Sequence, residues 1–100
     1  MTTTSKTTSQ TPSVRSHTSI GQTEVEVSIR GKLIKDGWNK EWMHHWCTFY
    51  PGKNTFVLNS AHVTGVVAVE HYLSIFMPVS GVIADAPEWA LSAAREKGLI

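Results

Sequence analysis

The sequence predicts a mainly β domain closed by a single C-terminal α-helix. Three observations carry that expectation. Val25, Val27, Ile29, Gly31 and Leu33 alternate with Glu24, Glu26, Ser28, Arg30 and Lys32. From Trp42 to Phe49 a second alternation sets Met43, His45, Cys47 and Phe49 against Trp42, His44, Trp46 and Thr48. After Asp85 the pattern changes, and Trp89, Ala90, Ala93, Ala94 and Lys97 follow at helical spacing. Period two marks a strand with one buried face, and period 3.6 marks a helix with one buried stripe.

Composition bounds the reading. One hundred residues, 41% hydrophobic and 17% charged, allow one domain plus polar filler. The formal net charge of +1 argues against a general nucleic-acid binder. A single cysteine cannot form an internal disulfide, so a reducing, cytoplasmic compartment is expected. No apolar run opens the chain, so no secretory signal is expected. Residues 30–53 hold five cations against two carboxylates, whereas residues 54–100 hold two against four. Such a dipolar distribution can orient a domain on an anionic surface without a high net charge.

In chain order, residues 1–23 are rich in Ser and Thr, with Val14 and Ile20 almost alone as apolar residues. They bury too little to offset ordering entropy and are expected to be a disordered tail. The domain is expected over 24–98. Glu24–Lys35 is the first strand, and Asp36-Gly37 begins a turn because Gly reaches positive φ cheaply. Glu41–Phe49 is the second strand, its aromatic content suiting a half-buried pleated surface. Tyr50-Pro51-Gly52-Lys53-Asn54 reads as a type II turn with Gly52 taking the positive φ. Thr55–Leu58 is a short strand stopped by Asn59-Ser60. Gly65–Glu70 and Tyr72–Phe76 are two more, Pro78–Gly81 a turn, and Val82–Ala84 a last short strand. The alternative for residues 63–84 is a single membrane-spanning helix, which takes about 20 apolar residues. Glu70, His71 and Pro78 inside the run oppose it. Asp85 and Glu88 have the spacing of a capping box, Pro87 suits a first turn, and Gly98 is a helix stop. Trp89 is the expected anchor of the helix on the sheet.

Gly31-Lys32-Leu33-Ile34-Lys35 followed by Trp42-Met43-His44-His45-Trp46-Cys47-Thr48-Phe49 resembles the opening hairpin of a pleckstrin homology (PH) domain. That family reads G-x-L-x-K, a variable loop, then W-x-x-R-W/Y-F-x-L. Glu88–Ala94, with Trp89, resembles its closing helix. The resemblance spans roughly residues 24–97 and is weak in the middle. It implies a bent, seven-stranded β-sandwich or partial barrel capped by a helix, here in a shortened form, with ligands at the open end between the first loops.

The resemblance also implies a site. Members that bind phosphoinositides use a Lys at the end of the first strand and two cations alternating on the second, which together clamp phosphate oxygens. Lys35 matches the first position, Met43 stands at the second and His45 at the third. Weak binding of phosphoinositides or other anionic lipid is therefore expected, through Lys35, Lys40, His44, His45 and Lys53, with Trp38 inserting into the membrane interface. Binding is expected to strengthen toward pH 6 as His44 and His45 protonate from a reference pKa of about 6.5.

No metal, cofactor or catalysis is expected. His44 and His45 point to opposite faces, and His45 with Cys47 supplies only two of the four ligands of a structural zinc. Cys47 with a histidine lacks a third group and an oxyanion donor. The expectation is a monomeric, non-enzymatic module, peripheral to a membrane, whose partner is anionic lipid. The alternatives are a protein partner without lipid, or a single-pass membrane subunit.

Overall fold

The computed structural model describes residues 11–66 and 69–100. The architecture is mainly β with one C-terminal helix, as the periodicities predict. Six strands, β1 (Ser13–Ser19), β2 (Gln22–Lys35), β3 (Lys40–Tyr50), β4 (Thr55–Val66), β5 (Val69–Ile75) and β6 (Val79–Val82), precede α1 (Glu88–Glu96). All pairings are antiparallel, in the order β1-β2-β3-β4-β5, with β6 also on β4. The sheet is open.

The row beyond β4 is one interrupted strand. β5 pairs with Ala61–Val66 and β6 with Thr55–Leu58. Between them the Phe76 N–H donates to the Ser60 carbonyl at 2.9 Å. Phe76, Met77 and Pro78 thus span the two positions Asn59 and Ser60. Pro78 lacks an N–H and sits where no ladder bond is required.

Several expectations are corrected. Of residues 1–23, positions 13–19 form β1 and residue 22 begins β2, and residues 1–10 lie outside the described residues. The β1–β2 link is the two-residue turn Ile20-Gly21, with φ of 51° and 74°, as a type I′ hairpin turn requires. β4 runs unbroken through Asn59-Ser60. Pro51–Lys53 forms a 3-10 turn, and Asn54 rather than Gly52 takes the left-handed conformation, at φ 54°. Residues 79–82 are strand, and 83–85 are a 3-10 turn. No described helix is long and apolar enough to cross a membrane, and the described residues between 63 and 82 lie mostly in strands, so the single-span alternative is overturned.

The main core lies on one face. Val25, Val27, Cys47, Phe49 and Phe56 pack under Ala86, Ala90, Leu91 and Ala94. Ala90 and Ala94, one turn apart, let the helix approach the strands closely. Trp89 is only partly buried at the margin of this core, so Leu91 rather than Trp89 is the large side chain α1 sinks into it. The capping box does not form: Pro87 is the N-cap, and Glu88 instead accepts from the Ser92 hydroxyl at 2.8 Å. The helix stop is as expected. Gly98 has φ 72°, its N–H reaches the Arg95 carbonyl at 2.9 Å, and the Leu99 N–H reaches Ala94 at 3.0 Å. That pair of bonds is a Schellman cap.

A second cluster occupies the other face: Trp42, Ala61 and Val63, with Leu33 and Trp46 against them. Leu33 reaches it through a β-bulge. Arg30 pairs with His44 but Leu33 pairs with Trp42, so β2 carries one extra residue there and Leu33 changes face. The expected grouping of Leu33 with Val25 and Val27 is thereby corrected.

Candidate functional site

The β2–β3 tip, residues 36–39, lies at the end where the resemblance leads one to expect a ligand. Trp38 is 84% exposed there, and Ile34 beside it is also exposed. Two of the lysines near the tip face carboxylates. Lys35 Nζ lies 3.9 Å from the Glu41 carboxylate, and Lys40 pairs with Asp36. A second register shift, between Leu33 and Lys35, sets Lys35 opposite Glu41. Lys53 is at the far end of the sheet, since the whole of β3 separates it from the tip, roughly 35 Å at strand rise. There it borders a shallow groove with Ile20, Gln22 and Tyr50. The six expected residues therefore do not converge on one site.

His44 and His45 lie on opposite faces, as alternation predicts. On the open face the His44 ring stacks on Trp46, with centroids 4.4 Å apart and 16° between planes. On the helix face His45 Nδ1 shares a hydrogen bond with the Ser60 hydroxyl at 2.8 Å, and its ring lies 6.3 Å from Trp89. Burial lowers both imidazole pKa values below the ordinary 6.5, with Glu70 partly opposing this for His44. The expected gain of positive charge near pH 6 is therefore displaced to lower pH.

Sequence reasoning missed a polar row beside His45. His62 Nε2 meets Glu41 Oε1 at 3.1 Å, and Lys35 approaches the other oxygen of the same carboxylate. Glu41 shares the phase of Met43 and His45 and was detectable by alternation. Ser60 and His62 became partners only through the β3–β4 register, which sets Ser60 opposite His45 and His62 opposite Met43. Gly31 closes one side of this row: a Cβ there would lie 3.1 Å from His45 Nε2 and 3.2 Å from the Met43 carbonyl oxygen. The backbone thus fills the space in which a carboxylate would have to orient His45, and the Ser60–His45 pair reads as a structural hydrogen bond. Cys47 is fully buried, and burial pushes its thiol up to about 12, which removes the thiolate a nucleophile or metal ligand needs. Among the described residues no three His, Cys, Asp or Glu side chains could hold a metal ion together.

The open face ends in a different kind of surface. Tyr72 meets Trp46 edge-on, with centroids 5.8 Å apart. From Tyr72 onward Leu73, Ile75, Phe76, Met77, Val79 and Val82 are all exposed, Ile75 at 68% and Met77 at 87%; of these Val79, opposite Leu58, lies on the helix side of the edge. The opposite edge, β1, is polar, with Arg15 bonded to Glu26 at 2.9 Å and the Thr18 and Thr23 hydroxyls 2.9 Å apart. Set against family models, curated proteins and solved structures, the chain matches none.

Proposed function

We propose that this is a non-catalytic docking domain whose partner is protein, and that its working surface is the β5–β6 edge with the adjoining open face. The observation that carries the reading is the run of exposed apolar side chains from Tyr72 to Val82. Apolar patches of this extent on a small domain mark interaction surfaces. Magnitudes favour this edge over the tip. Burying several hundred Å² of apolar surface at about 25 cal/mol per Å² yields on the order of 10 kcal/mol before the costs of association. A basic residue near an anionic membrane yields about 1 kcal/mol, and Lys35 and Lys40 each already face a carboxylate.

A photo-crosslinking residue in place of Ile75, with the same residue at the exposed Glu96 on α1 as control, tests the reading in cells. Protein adducts from position 75 and not from 96 support it. Equal labelling at the two positions overturns it.

One observation favours a second reading, peripheral attachment to anionic lipid: Trp38 and Ile34 project from a tip that carries Lys32, Lys35 and Lys40. An amphipathic aromatic ring flanked by lysines suits a membrane interface. Sedimentation with phosphoinositide-containing vesicles, comparing the natural chain with Trp38→Ala and Lys35→Ala, tests it. Unchanged sedimentation of both variants removes this reading and leaves the first intact.

A further inference from the structure

We infer that the occupant of the β5–β6 edge is a second copy of this chain, packed about a two-fold axis with the open faces turned toward each other. The inference rests on the docking reading above and names its partner.

The first argument excludes an added strand. An exposed edge invites backbone pairing, but this one is broken twice. The register shifts between His62 and Val63, where β5 carries an extra residue at Leu73. Phe76, Met77 and Pro78 then interrupt the row before β6. Bulges and proline are the devices by which sheet edges resist strand addition. The bonding capacity of this edge therefore lies in its side chains, and they call for a surface rather than an extended peptide.

The second argument is area. Leaving out Val79, which lies opposite Leu58 on the helix side of the edge, the exposed apolar side chains between Tyr72 and Val82 offer on the order of 600 Å², most of the ~800 Å² per partner of a standard interface. An isologous pair presents the same patch from both copies, so one patch of this size suffices.

The third argument is charge. By strand alternation the open face carries Arg15, Arg30 and Lys40 with Glu24, Glu26 and Glu70, three of each sign, and Arg15 is already bonded to Glu26. Two copies of a face balanced in this way meet without repulsion. The whole chain, at +1, adds little. A partner selected by strong charge would find no complementary field here.

The fourth is continuity. Tyr72 joins the exposed edge to Trp46, and Trp46 joins it to the buried Trp42 cluster. Among the described residues no helix or second sheet lies over this face, so a second copy would extend an existing cluster rather than create an isolated contact.

Sedimentation equilibrium of the full chain tests the inference across a concentration series, with Leu73→Glu and Ile75→Lys as edge variants and Glu96→Gln, exposed on the helix that covers the other face, as the control. The expected result is a mass twice the 11.1 kDa of the monomer, retained by Glu96→Gln and lost by both edge variants. Leu73 and Ile75 are exposed, so the variants should keep the cooperative urea transition of the natural chain, followed by tryptophan fluorescence. A natural chain that stays monomeric at hundreds of micromolar overturns the inference. So does open-ended growth beyond the dimer, or a dimer that both edge variants keep. If the monomeric chain still forms protein adducts from position 75, the self-pairing fails and the docking reading stands. If it forms none, both fail.

Discussion

The two faces of the sheet exclude water by different means. On one, a helix lies across Val25, Val27, Cys47, Phe49 and Phe56, and small residues at Ala90 and Ala94 bring it close. On the other, side chains of the sheet do the covering. The Arg30 guanidinium stands 4.3 Å over the Trp42 ring, His44 stacks on Trp46, and Tyr72 closes edge-on. The result leaves Trp42 only 3% exposed without a second layer of backbone. A helix can seal a face completely, whereas a cover of long side chains seals only its centre and leaves a rim. That rim is the apolar edge to which the docking reading is assigned.

The largest expected effect separates the faces by stability. Phe49→Ala empties a fully buried position under the helix and should cost about 3–5 kcal/mol. Trp46→Ala removes a larger side chain from the open face, but one already partly in water, and should cost roughly 1–2 kcal/mol. Urea unfolding at constant m-value measures both. Equal costs would mean that the open face is sealed as well as the helix face, and the contrast would fail.

A smaller effect acts on the cover alone. Gly98 holds φ 72° in the Schellman cap. Gly98→Ala forces a Cβ into the left-handed region and should cost about 1–2 kcal/mol. Cys47 reports where that cost falls. With its thiol fully buried and pushed up to about 12, it should resist thiol reagents in the natural fold. Faster labelling in Gly98→Ala, with Trp46 fluorescence unchanged, would show the helix lifting while the open face stays packed. Labelling that rises only with global unfolding would show the two faces to be one cooperative unit.

The helix face was largely legible in the sequence and the open face was not. Val25, Val27, Cys47 and Phe49 keep strict alternation, and the helix announces itself by its spacing and by Gly98. Three local departures hid the rest. The extra residue near Gly31-Lys32 moves Leu33 across the sheet, and a period-two reading cannot see a bulge. β1 is Ser/Thr-rich on both faces and places only Val14 against the main core, so it resembles an unstructured tail. Its turn uses Ile20, a β-branched residue that seldom takes positive φ, in place of the Asn or Asp that marks such hairpins. Asn59-Ser60 has the polarity of a strand end, but within the sheet Ser60 finds a partner in His45. The expected site suffered in the same way. Glu41 and Asp36 become neighbours of Lys35 and Lys40 only through register and turn geometry, which the order of charges along the chain does not show. Lys53 is near Lys40 in sequence and a full strand length away in space.

Arg30 offers a narrower probe of the open face. Arg30→Ala should cost about 0.5–1 kcal/mol, the range for a cation over an aromatic ring near the surface. Arg30→Lys should recover only part of it, because an ammonium lacks the planar group that lies over the indole. Iodide quenching of tryptophan fluorescence should increase in Arg30→Ala as Trp42 becomes accessible. No change in quenching would show that the cover is made by Trp46 and Leu33 alone.

The smallest effect is a dependence of stability on pH that both faces share. Burial holds the imidazoles of His44 and His45 below the 6.5 they would have in the unfolded chain. Near and below that value the unfolded state binds protons that the folded state refuses, so stability rises with pH across the interval. The contribution is present in full above pH 6.5 and is lost as the pH falls through the folded-state values. Urea midpoints measured between pH 7.5 and 5.5, where carboxylates of reference pKa near 4 remain ionised, isolate it. His45→Gln removes the contribution of the helix face and His44→Gln that of the open face. Burial is the cause at His45, whereas at His44 burial leads, His45 and Arg30 add to it, and Glu70 and Glu26 oppose it. Each substitution should therefore flatten part of the pH profile, and a natural chain with a flat profile would show that neither ring is held neutral by the fold.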